Sequence, residues 1–249
     1  MSDKKITIRK TTLSDNYCIQ VKISRRIPNG VYLFTETVQF GHAFVLAVKD
    51  KVNVAYTYGR YAESDSETLG VLLRYEGAEC KDYLMEELYR YNAKVFKISD
   101  VNESDVFKIG DSIWTGSNKI PERGSAKHLK TAGKVLDRYK LFSRNCTTFA
   151  CDMLRKAGTK IFHNERFEKA CRQVSTMYTG GLINCSSYSN EYFIDPEGLE
   201  NYLEELSNSL ENNLVLNYSK NMRVFVLNSK NYSYSPVKEL YRTVRGHSS

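Results

Sequence analysis

Residues 41–61 read GHAFVLAVKDKVNVAYTYGRY, two β-rich halves around a polar centre. The first half is apolar from Ala43 to Val48, and Lys49-Asp50-Lys51 is typical of a turn. In the second half, alternating side chains from Val54 to Tyr58 share one face of a strand. The stretch therefore predicts an antiparallel hairpin.

Strands dominate the first part of the chain, and most of the helices follow them. The long β-rich stretch 31–48 is broken near 39–41, where Gln-Phe-Gly occurs. Further strands are predicted at Ile6–Ile8, Tyr17–Ser24, Leu69–Tyr75, Ala93–Ile98 and Val224–Leu227. Helices are predicted at Asp82–Tyr91, Ser104–Trp114, Ser125–Tyr139, Asn145–Ala157 and Pro196–Leu210. This order favours an α+β fold with an antiparallel sheet over a parallel βαβ fold.

The composition is that of an ordinary soluble globular protein. The 249 residues are 41% hydrophobic and 26% charged, which excludes collagen-like and coiled-coil chains. The length fits one large domain, in which we predict a catalytic part at 1–184 and an extension at 185–249 packed on it. No apolar leader follows Met1, and the run Ala43–Val48 is too short to span a bilayer. We therefore expect a chain made in the cytoplasm without a signal peptide and without a transmembrane segment.

Charge is distributed unevenly along the chain, whose formal net charge is +7. Residues 173–219 contain seven acidic residues and no Lys or Arg, whereas 123–172 contain 13 Lys or Arg and four acidic residues. A solvated helix face explains such segments. The alternative is a basic surface that attracts polyanions such as cell-wall polymers or acidic lipids. Nucleic acid is not an expected partner, because no nucleic-acid-binding motif accompanies the charge.

Cys146 has the sequence context of a nucleophile. It is one of six cysteines, and it follows Asn145 in the first turn of a predicted helix. Unpaired backbone N–H groups and the helix dipole stabilise a thiolate there, and Arg144 adds positive charge. The same N–H groups can bind an oxyanion. Cys151 lies more than a turn further along the helix, so we expect it to be structural and most of the cysteines to be reduced and buried.

His42 is the histidine best placed to act as the base for Cys146. A neutral imidazole is the usual partner of a nucleophilic thiol. His42 begins the apolar strand, whereas His128 lies in a Lys-rich segment, His163 follows a helix break and His247 lies in the tail. Alone, each residue of the pair fits a buried thiol or a strand histidine; together they indicate catalysis. The chain has no Cys-x-x-Cys pair, so neither a metal nor a cofactor is expected.

Two motifs resemble circularly permuted NlpC-type papain-like cysteine hydrolases. They are Gly41-His42-Ala43-Phe44-Val45, with a return strand ending in Tyr56-Thr57-Tyr58-Gly59, and Tyr139-x-Leu-x-x-x-Asn-Cys-Thr-Thr-Phe149. In the permuted branch the histidine strand precedes the cysteine helix, as it does here. The branch includes lecithin retinol acyltransferase-like enzymes and bacterial cell-wall amidases. The resemblance covers about residues 31–160 and implies a papain-like core, with Cys146 as nucleophile and His42 as general base and acid.

The chain departs from this family at the third polar residue, which orients the imidazole. Many members have His, Asn or Gln on the strand after the histidine, and residues 52–61 contain no His. A turn centred on Asp50 would place Tyr58 opposite His42, which makes Tyr58 the candidate orienter. The alternatives are a backbone carbonyl, Tyr56, Thr57 and, at longer reach, Asn53.

The resemblance implies a cysteine hydrolase that cleaves amide bonds in peptidoglycan stem peptides or crosslinks. Some relatives are antibacterial type VI secretion effectors, so we expect delivery by a secretion machine into the periplasm of a target cell and a cognate immunity protein in the producer. A lipid thioesterase, phospholipase or acyltransferase would use the same pair, as would a protease or deamidase acting on host proteins. The non-enzyme alternative is a carbohydrate- or protein-binding module that uses the 18 Tyr as a contact surface.

Overall fold

The computed structural model describes residues 26–38, 40–63, 68–121, 131–182 and 192–227. They form one antiparallel sheet, whose strands are β1 (Gly30–Glu36), β2 (His42–Lys49), β3 (Val52–Glu63), β4 (Thr68–Glu76), β5 (Lys94–Ile98), β6 (Gly133–Arg138) and β7 (Val215–Asn217). The spatial order is β6-β4-β3-β2-β1-β5-β7. The predicted hairpin is confirmed as β2 and β3 at the centre of the sheet, where both faces of a strand are buried.

A two-residue turn joins β2 to β3. Asp50 and Lys51 both have positive φ, 48° and 81°, as the tight hairpin turns of type I′ require. The ladder pairs Lys49 with Val52 directly across this turn. The hairpin is therefore centred between Asp50 and Lys51, and this centre sets the register of the two strands.

Helices cover both faces of the sheet. One face packs against α1 (Gly77–Tyr89) and α6 (Ser219–Leu227); the other packs against α2 (Glu103–Thr115), α3 (Cys146–Lys156), α4 (Glu165–Thr179) and α5 (Pro196–Asn208). On the α1 face Tyr83 packs on Phe44, and on the α3 face Phe149 stacks on Tyr58, with ring centroids 4.7 and 4.9 Å apart. None of the helices in the described ranges is long and apolar enough to cross a membrane.

The predicted α+β class is confirmed, and two predicted elements are wrong. The second half of the predicted helix Ser125–Tyr139 is strand β6, because its backbone pairs with the edge of β4. Residues Val224–Leu227, predicted as a strand, end helix α6, in which Met222 and Val226 lie one turn apart and are buried. Two other predicted strands, Ile6–Ile8 and Tyr17–Ser24, lie outside the described residues.

The described part of the predicted C-terminal extension shares the sheet with the preceding residues. β7 pairs with β5 at the sheet edge, and residues 192–194 are buried in the same core as α3. The acidic helix α5 is anchored by Lys94 of β5, whose ammonium lies 2.8 Å from Glu200 and 2.6 Å from Glu204. Residues 192–227 therefore complete the sheet and its helical layers.

Candidate active site

Helix α3 begins at Cys146 because Asn145 caps it. The Asn145 side chain accepts the Thr148 N–H at 2.7 Å, and Thr148 Oγ1 accepts the Asn145 N–H at 2.9 Å, a reciprocal capping box. The Asn145 amide also donates to the carbonyls of Leu141 and Ile194, at 3.0 and 3.1 Å. These bonds join the turn before α3 to the segment before α5. The predicted position of Cys146 in the first turn of a helix is confirmed.

The Cys146 thiol is buried against the sheet, with 7% of the residue exposed. Its sulfur lies 3.7 Å from Thr147 Oγ1 and near the Ala43 backbone N–H. Burial raises the pKa of the thiol, and the hydrogen bonds from Ala43 and Thr147 offset that effect only in part. Arg144 forms an ion pair with Asp137, so its charge is shared with a carboxylate. The helix start was expected to hold a thiolate, but desolvation of the charged form outweighs the donors there.

The sulfur meets the sheet where β2 and β3 separate. β2 pairs with β1 as far as Glu36↔His42, whereas the β2–β3 ladder begins at Val45↔Tyr56. We call this opening, between residues 42–44 and 57–59, the β2–β3 seam. Backbone N–H groups of a strand point sideways, in the plane of the sheet. A sulfur near the Ala43 N–H therefore lies beside β2, one residue along the chain from His42.

The His42 imidazole lies in a network of hydroxyl groups. Its Nε2 is 2.5 Å from Thr57 Oγ1 and 3.4 Å from the Tyr61 hydroxyl. Thr57 Oγ1 is 2.9 Å from the Tyr61 hydroxyl and accepts the Tyr83 hydroxyl at 3.2 Å. His42 is 7% exposed and Thr57 is fully buried. Side chains of β3 and α1 therefore hold the imidazole in place. We call these four residues the hydroxyl network.

One hydrogen-bond pattern in the hydroxyl network leaves Nδ1 of His42 as a base. A threonine hydroxyl has one proton to donate and two lone pairs. When Tyr83 and Nε2 of His42 both donate to Thr57, the Thr57 proton goes to Tyr61, and Thr57 uses its full capacity. The lone pair of the neutral imidazole is then on Nδ1. In the reverse pattern Thr57 donates to Nε2 and the proton of the imidazole is on Nδ1.

Tyr58 does not lie opposite His42. The register of the β2–β3 ladder places Gly59 opposite His42, one residue beyond the expected Tyr58. Because successive side chains of a strand point to opposite faces, this one-residue shift turns Tyr58 away from the imidazole and Thr57 toward it. The Tyr58 hydroxyl donates to Asp137 at 2.6 Å. The expected position of Tyr58 is therefore wrong, and Thr57, one of the alternatives, contacts Nε2.

The imidazole and helix α3 approach the β2–β3 seam from opposite faces of the sheet. Side chains alternate along β2, so Ala43 and Val45 enter the core beneath α3. His42 and Phe44 point to the α1 face, where their rings stack with centroids 6.1 Å apart. The sequence analysis paired the thiol with the imidazole but did not predict the face of the sheet on which each lies. Because the two groups lie on opposite faces, proton transfer between them would have to cross the β2–β3 seam.

Tyr139 is a further residue at this site. The Cys146 backbone N–H is near enough to the Tyr139 hydroxyl to lower its pKa. The Tyr139 ring stacks on that of Tyr58, with centroids 5.8 Å apart, and its backbone N–H donates to the Thr68 carbonyl at 3.0 Å. Burial, followed by the charges of Cys146, Tyr58 and Tyr61, raises the pKa of Tyr139. Sequence reasoning missed this residue, and the only available signal was its place at the start of the second motif.

Among the described residues, His163 and the other cysteines offer no comparable site. His163 is exposed, and His128 and His247 lie outside the described residues. The cysteines of the described ranges are free and buried, as predicted, and the remaining two, Cys18 and Cys185, fall outside those ranges. In the part of the chain that the structure describes, no group of three or more His, Cys, Asp or Glu could hold a metal ion.

Exposed apolar side chains lie beside the start of α3. Leu141 and Phe142, in the turn before the helix, are 56% and 41% exposed, and Tyr178 near the end of α4 is 55% exposed. Phe142 and Tyr178 both pack edge-on against Phe193, with ring centroids 5.3 and 5.7 Å apart. We call Leu141, Phe142 and Tyr178 the apolar rim. It is held together by Phe193, which is itself buried.

Comparison with known protein families, with curated proteins and with solved structures finds no significant match to this chain. The functional assignment of the site therefore depends on the geometry of Cys146, His42 and their neighbours. The papain-like resemblance stays a hypothesis that rests on the two sequence motifs.

Proposed function

We propose that the protein is a cysteine hydrolase that acts by acyl transfer through Cys146 and His42. The observation that carries the proposal is the position of the sulfur, at the N-terminus of α3 and near the backbone N–H of Ala43, the residue next to His42. A thiol whose pKa is raised by burial needs a base to react, and imidazole is the usual one. A permuted papain-like core accounts for a histidine strand that precedes the cysteine helix and for the antiparallel sheet between them.

The proposed reaction begins when His42 takes the proton of the Cys146 thiol. The thiolate attacks an acyl carbonyl carbon, a C–S bond forms, and the π electrons of the carbonyl move onto its oxygen. When this intermediate collapses, the bond to the leaving group breaks and the imidazolium gives that group its proton. A water molecule deprotonated by His42 then attacks the thioester, which releases the acid and restores the thiol.

For the substrate we propose an amide bond of peptidoglycan, in a stem peptide or a crosslink. This follows from the resemblance of the two motifs to those of bacterial cell-wall amidases. The net charge of +7 supports it, because a positive field concentrates a polyanionic cell wall near the protein. Under this proposal the protein acts in the periplasm of a target cell, reaches it through a secretion machine, and is neutralised in the producer by an immunity protein.

A lipid ester or thioester is the second candidate substrate, and the apolar rim favours it. The rim exposes apolar surface beside the start of α3, and the Arg144 side chain next to it is 56% exposed. Apolar and basic groups side by side suit an acyl chain that carries an anionic headgroup. The same thiol and imidazole would then transfer a fatty acyl group.

Digestion of purified sacculi and of phospholipid vesicles tests the function and separates the two substrates. We expect the wild type to release products that mass spectrometry identifies in one of the two preparations. Cys146→Ala and His42→Ala should release none, whereas Cys151→Ala, on the same helix but deeper in the core, should retain activity in proportion to its folded fraction. Product release by Cys146→Ala equal to that of the wild type would show the proposed mechanism to be wrong.

A further inference from the structure

The turn before helix α3 has basic ends and an apolar tip. Residues 138–144 read RYKLFSR, three basic residues with no acidic one, and every residue from Lys140 to Arg144 is exposed. Leu141 and Phe142 lie between the two exposed basic residues at the ends of the turn. Phe and Leu beside Lys and Arg are the residue types with which protein surfaces bind at the interface of a membrane.

Hydrogen bonds fix the shape of this turn. The Arg144 N–H donates to the Lys140 carbonyl at 2.8 Å, and the Lys140 N–H donates to the Arg144 carbonyl at 3.3 Å. The two basic residues are therefore held side by side at the base of the turn. The Leu141 carbonyl accepts the Asn145 amide at 3.0 Å, which ties the tip to the helix cap. A tip that is already ordered loses little conformational entropy when a partner buries its side chains.

The apolar tip belongs to a larger surface. Phe142 and Tyr178 both pack on Phe193, which makes the apolar rim continuous from the turn to the end of α4. Met177, next to Tyr178 in the chain, is more exposed than any member of the rim, and residues 173–182 carry no charge. Single exposed apolar side chains are common on protein surfaces, but a contiguous group marks a site of interaction.

We infer that the apolar rim, together with Lys140 and Arg144, is a docking surface for an anionic phospholipid bilayer. Leu141 and Phe142 enter the boundary between headgroups and acyl chains, and the ring of Tyr178 lies at the level of the headgroups. The two basic side chains lie along the apolar surface and keep their charged ends at the lipid phosphates.

The charge of this surface favours a bilayer over a protein partner. Lysine is depleted in the buried core of protein interfaces, whereas lysine beside an anionic membrane adds to the binding energy. The net charge of +7 acts in the same direction, because an anionic membrane attracts a basic protein before contact. The inference goes beyond the proposed function and does not rest on it, since docking needs neither the thiol nor the imidazole.

Flotation with lipid vesicles tests the basic part of the surface. We expect the wild type to bind vesicles of equimolar phosphatidylglycerol and phosphatidylcholine about tenfold or more tightly than vesicles of phosphatidylcholine alone. Arg144 shares its charge with Asp137, so Lys140→Gln is the sharper variant, with an expected loss of about fivefold on the anionic vesicles. Lys220→Gln is the matched control. It removes the same charge from an exposed lysine of α6, on the other face of the sheet, and should stay within about twofold of the wild type because salt screens distant charges.

A second pair of variants tests the apolar part. Leu141→Ser should lose about fivefold in affinity for the anionic vesicles, since the exposed half of that side chain no longer gains from burial in lipid. Leu210→Ser is the control, because it removes a fully exposed leucine next to Glu211 in the acidic segment. It should bind vesicles as the wild type does. Denaturant unfolding checks that both variants are folded.

The opposite results overturn the inference. Wild type that binds neither kind of vesicle, or binds both equally, rejects an anionic bilayer as the partner. Binding that Lys140→Gln and Leu141→Ser leave unchanged means that lipid is held elsewhere on the molecule. A wild-type dimer that Leu141→Ser dissociates, without vesicle binding, makes the surface an interface between two copies of the chain. Cys146→Ala should bind vesicles as tightly as the wild type, so vesicle binding and digestion of sacculi can fail independently of each other.

Discussion

Buried tyrosines on the two faces of the sheet, on either side of the β2–β3 seam, have different hydrogen-bond partners. On the α3 face the hydroxyls of Tyr56 and Tyr58 donate to carboxylates, those of Asp111 and Asp137, each at 2.6 Å. On the α1 face Tyr61 and Tyr83 bond to the Thr57 hydroxyl, which lies against the imidazole. A carboxylate can only accept, so it fixes the direction of the bond. A network of hydroxyls and imidazole can reverse its direction and so can change the tautomer of His42.

The same comparison shows that the thiol and the imidazole have different surroundings, which affect how each gains or loses a proton. Cys146 lies on the α3 side, where burial raises its pKa despite three donors around the sulfur. His42 lies on the α1 side, where hydroxyls supply both donors and acceptors to its ring. Under the proposed function, the thiol is therefore the group that needs help to ionise, and the imidazole is the group that moves the proton. Three experiments test this division.

The largest expected effect comes from removal of the cap that sets the thiol in place. Asn145→Ala deletes the capping box and leaves the carbonyls of Leu141 and Ile194, the second of them buried, without their donor. We expect a loss of about 2–4 kcal/mol in the free energy of unfolding, since a cap contributes about 1 kcal/mol and an unsatisfied buried group about 1–3 kcal/mol. Denaturant unfolding measures this loss, and the iodoacetamide rate of Cys146 should change with it.

Asn164→Ala is the matched control for that experiment. Asn164 caps α4 in the same way, accepting the Phe167 N–H at 2.9 Å and donating to the Ile161 carbonyl at 2.6 Å. We expect a comparable loss of stability and no change in the alkylation rate of Cys146 under conditions in which both variants are folded. An equal change of rate in both variants would mean that reactivity at Cys146 follows global stability and not the local cap.

A smaller effect is expected from the centre of the hydroxyl network. Thr57→Val keeps the shape of the side chain but removes the hydroxyl that faces His42, Tyr61 and Tyr83, at a cost of about 1–3 kcal/mol. Thr35→Val is the control, because Thr35 is equally buried and its hydroxyl donates to Glu200 on the other face of the sheet, at 2.9 Å. Both should lose stability, but only Thr57→Val should alter the imidazole.

Nitrogen NMR measures which tautomer the imidazole adopts, and so detects this difference directly. We expect the neutral imidazole of His42 in the wild type to carry its proton on Nε2. In Thr57→Val the imidazole should populate a mixture of tautomers, because Nε2 loses its partner. The spectrum of Thr35→Val should match the wild type. A wild-type His42 protonated on Nδ1 would show that the network runs in the opposite direction, with Thr57 donating to Nε2.

The hairpin and the start of α3 at Cys146 could be predicted because each depends on local sequence, whereas the catalytic roles of Cys146 and His42 stay predictions. The apolar run of β2, the polar turn after it and the Asn-Cys-Thr-Thr start of α3 are signals within a few residues of one another. The face on which each side chain lies could not be predicted in this way. It depends on whether the turn is centred on Asp50 or after it, and Lys51 at a φ of 81° is not a residue that marks such a turn.

Long-range contacts decide the remaining errors. Residues 133–138 form a strand because they pair with β4, a partner that local helix propensity does not reveal. The position of the Tyr139 hydroxyl likewise depends on Tyr58 and Thr68, which lie far away in the sequence. Positions set by a single local motif, such as that of Cys146 at the start of α3, are therefore easier to predict than positions set by two or three distant neighbours.

The smallest expected effect is on the pH at which the Cys146 thiol ionises. This measurement can show that the contrast between the two faces is wrong. Because burial raises the pKa of the thiol above 9.0, the rate of alkylation by iodoacetamide should rise through a midpoint above that value. The folded protein then holds a proton that the unfolded chain releases. The Cys146 contribution to stability is therefore complete below the unfolded pKa and is lost as pH rises through the folded one. The difference in unfolding free energy between wild type and Cys146→Ala should thus change above about pH 9 and stay constant below it. A midpoint below 9.0 would mean that the His42 imidazolium pairs across the seam with a Cys146 thiolate in the resting protein. The two faces would then form one ionised site.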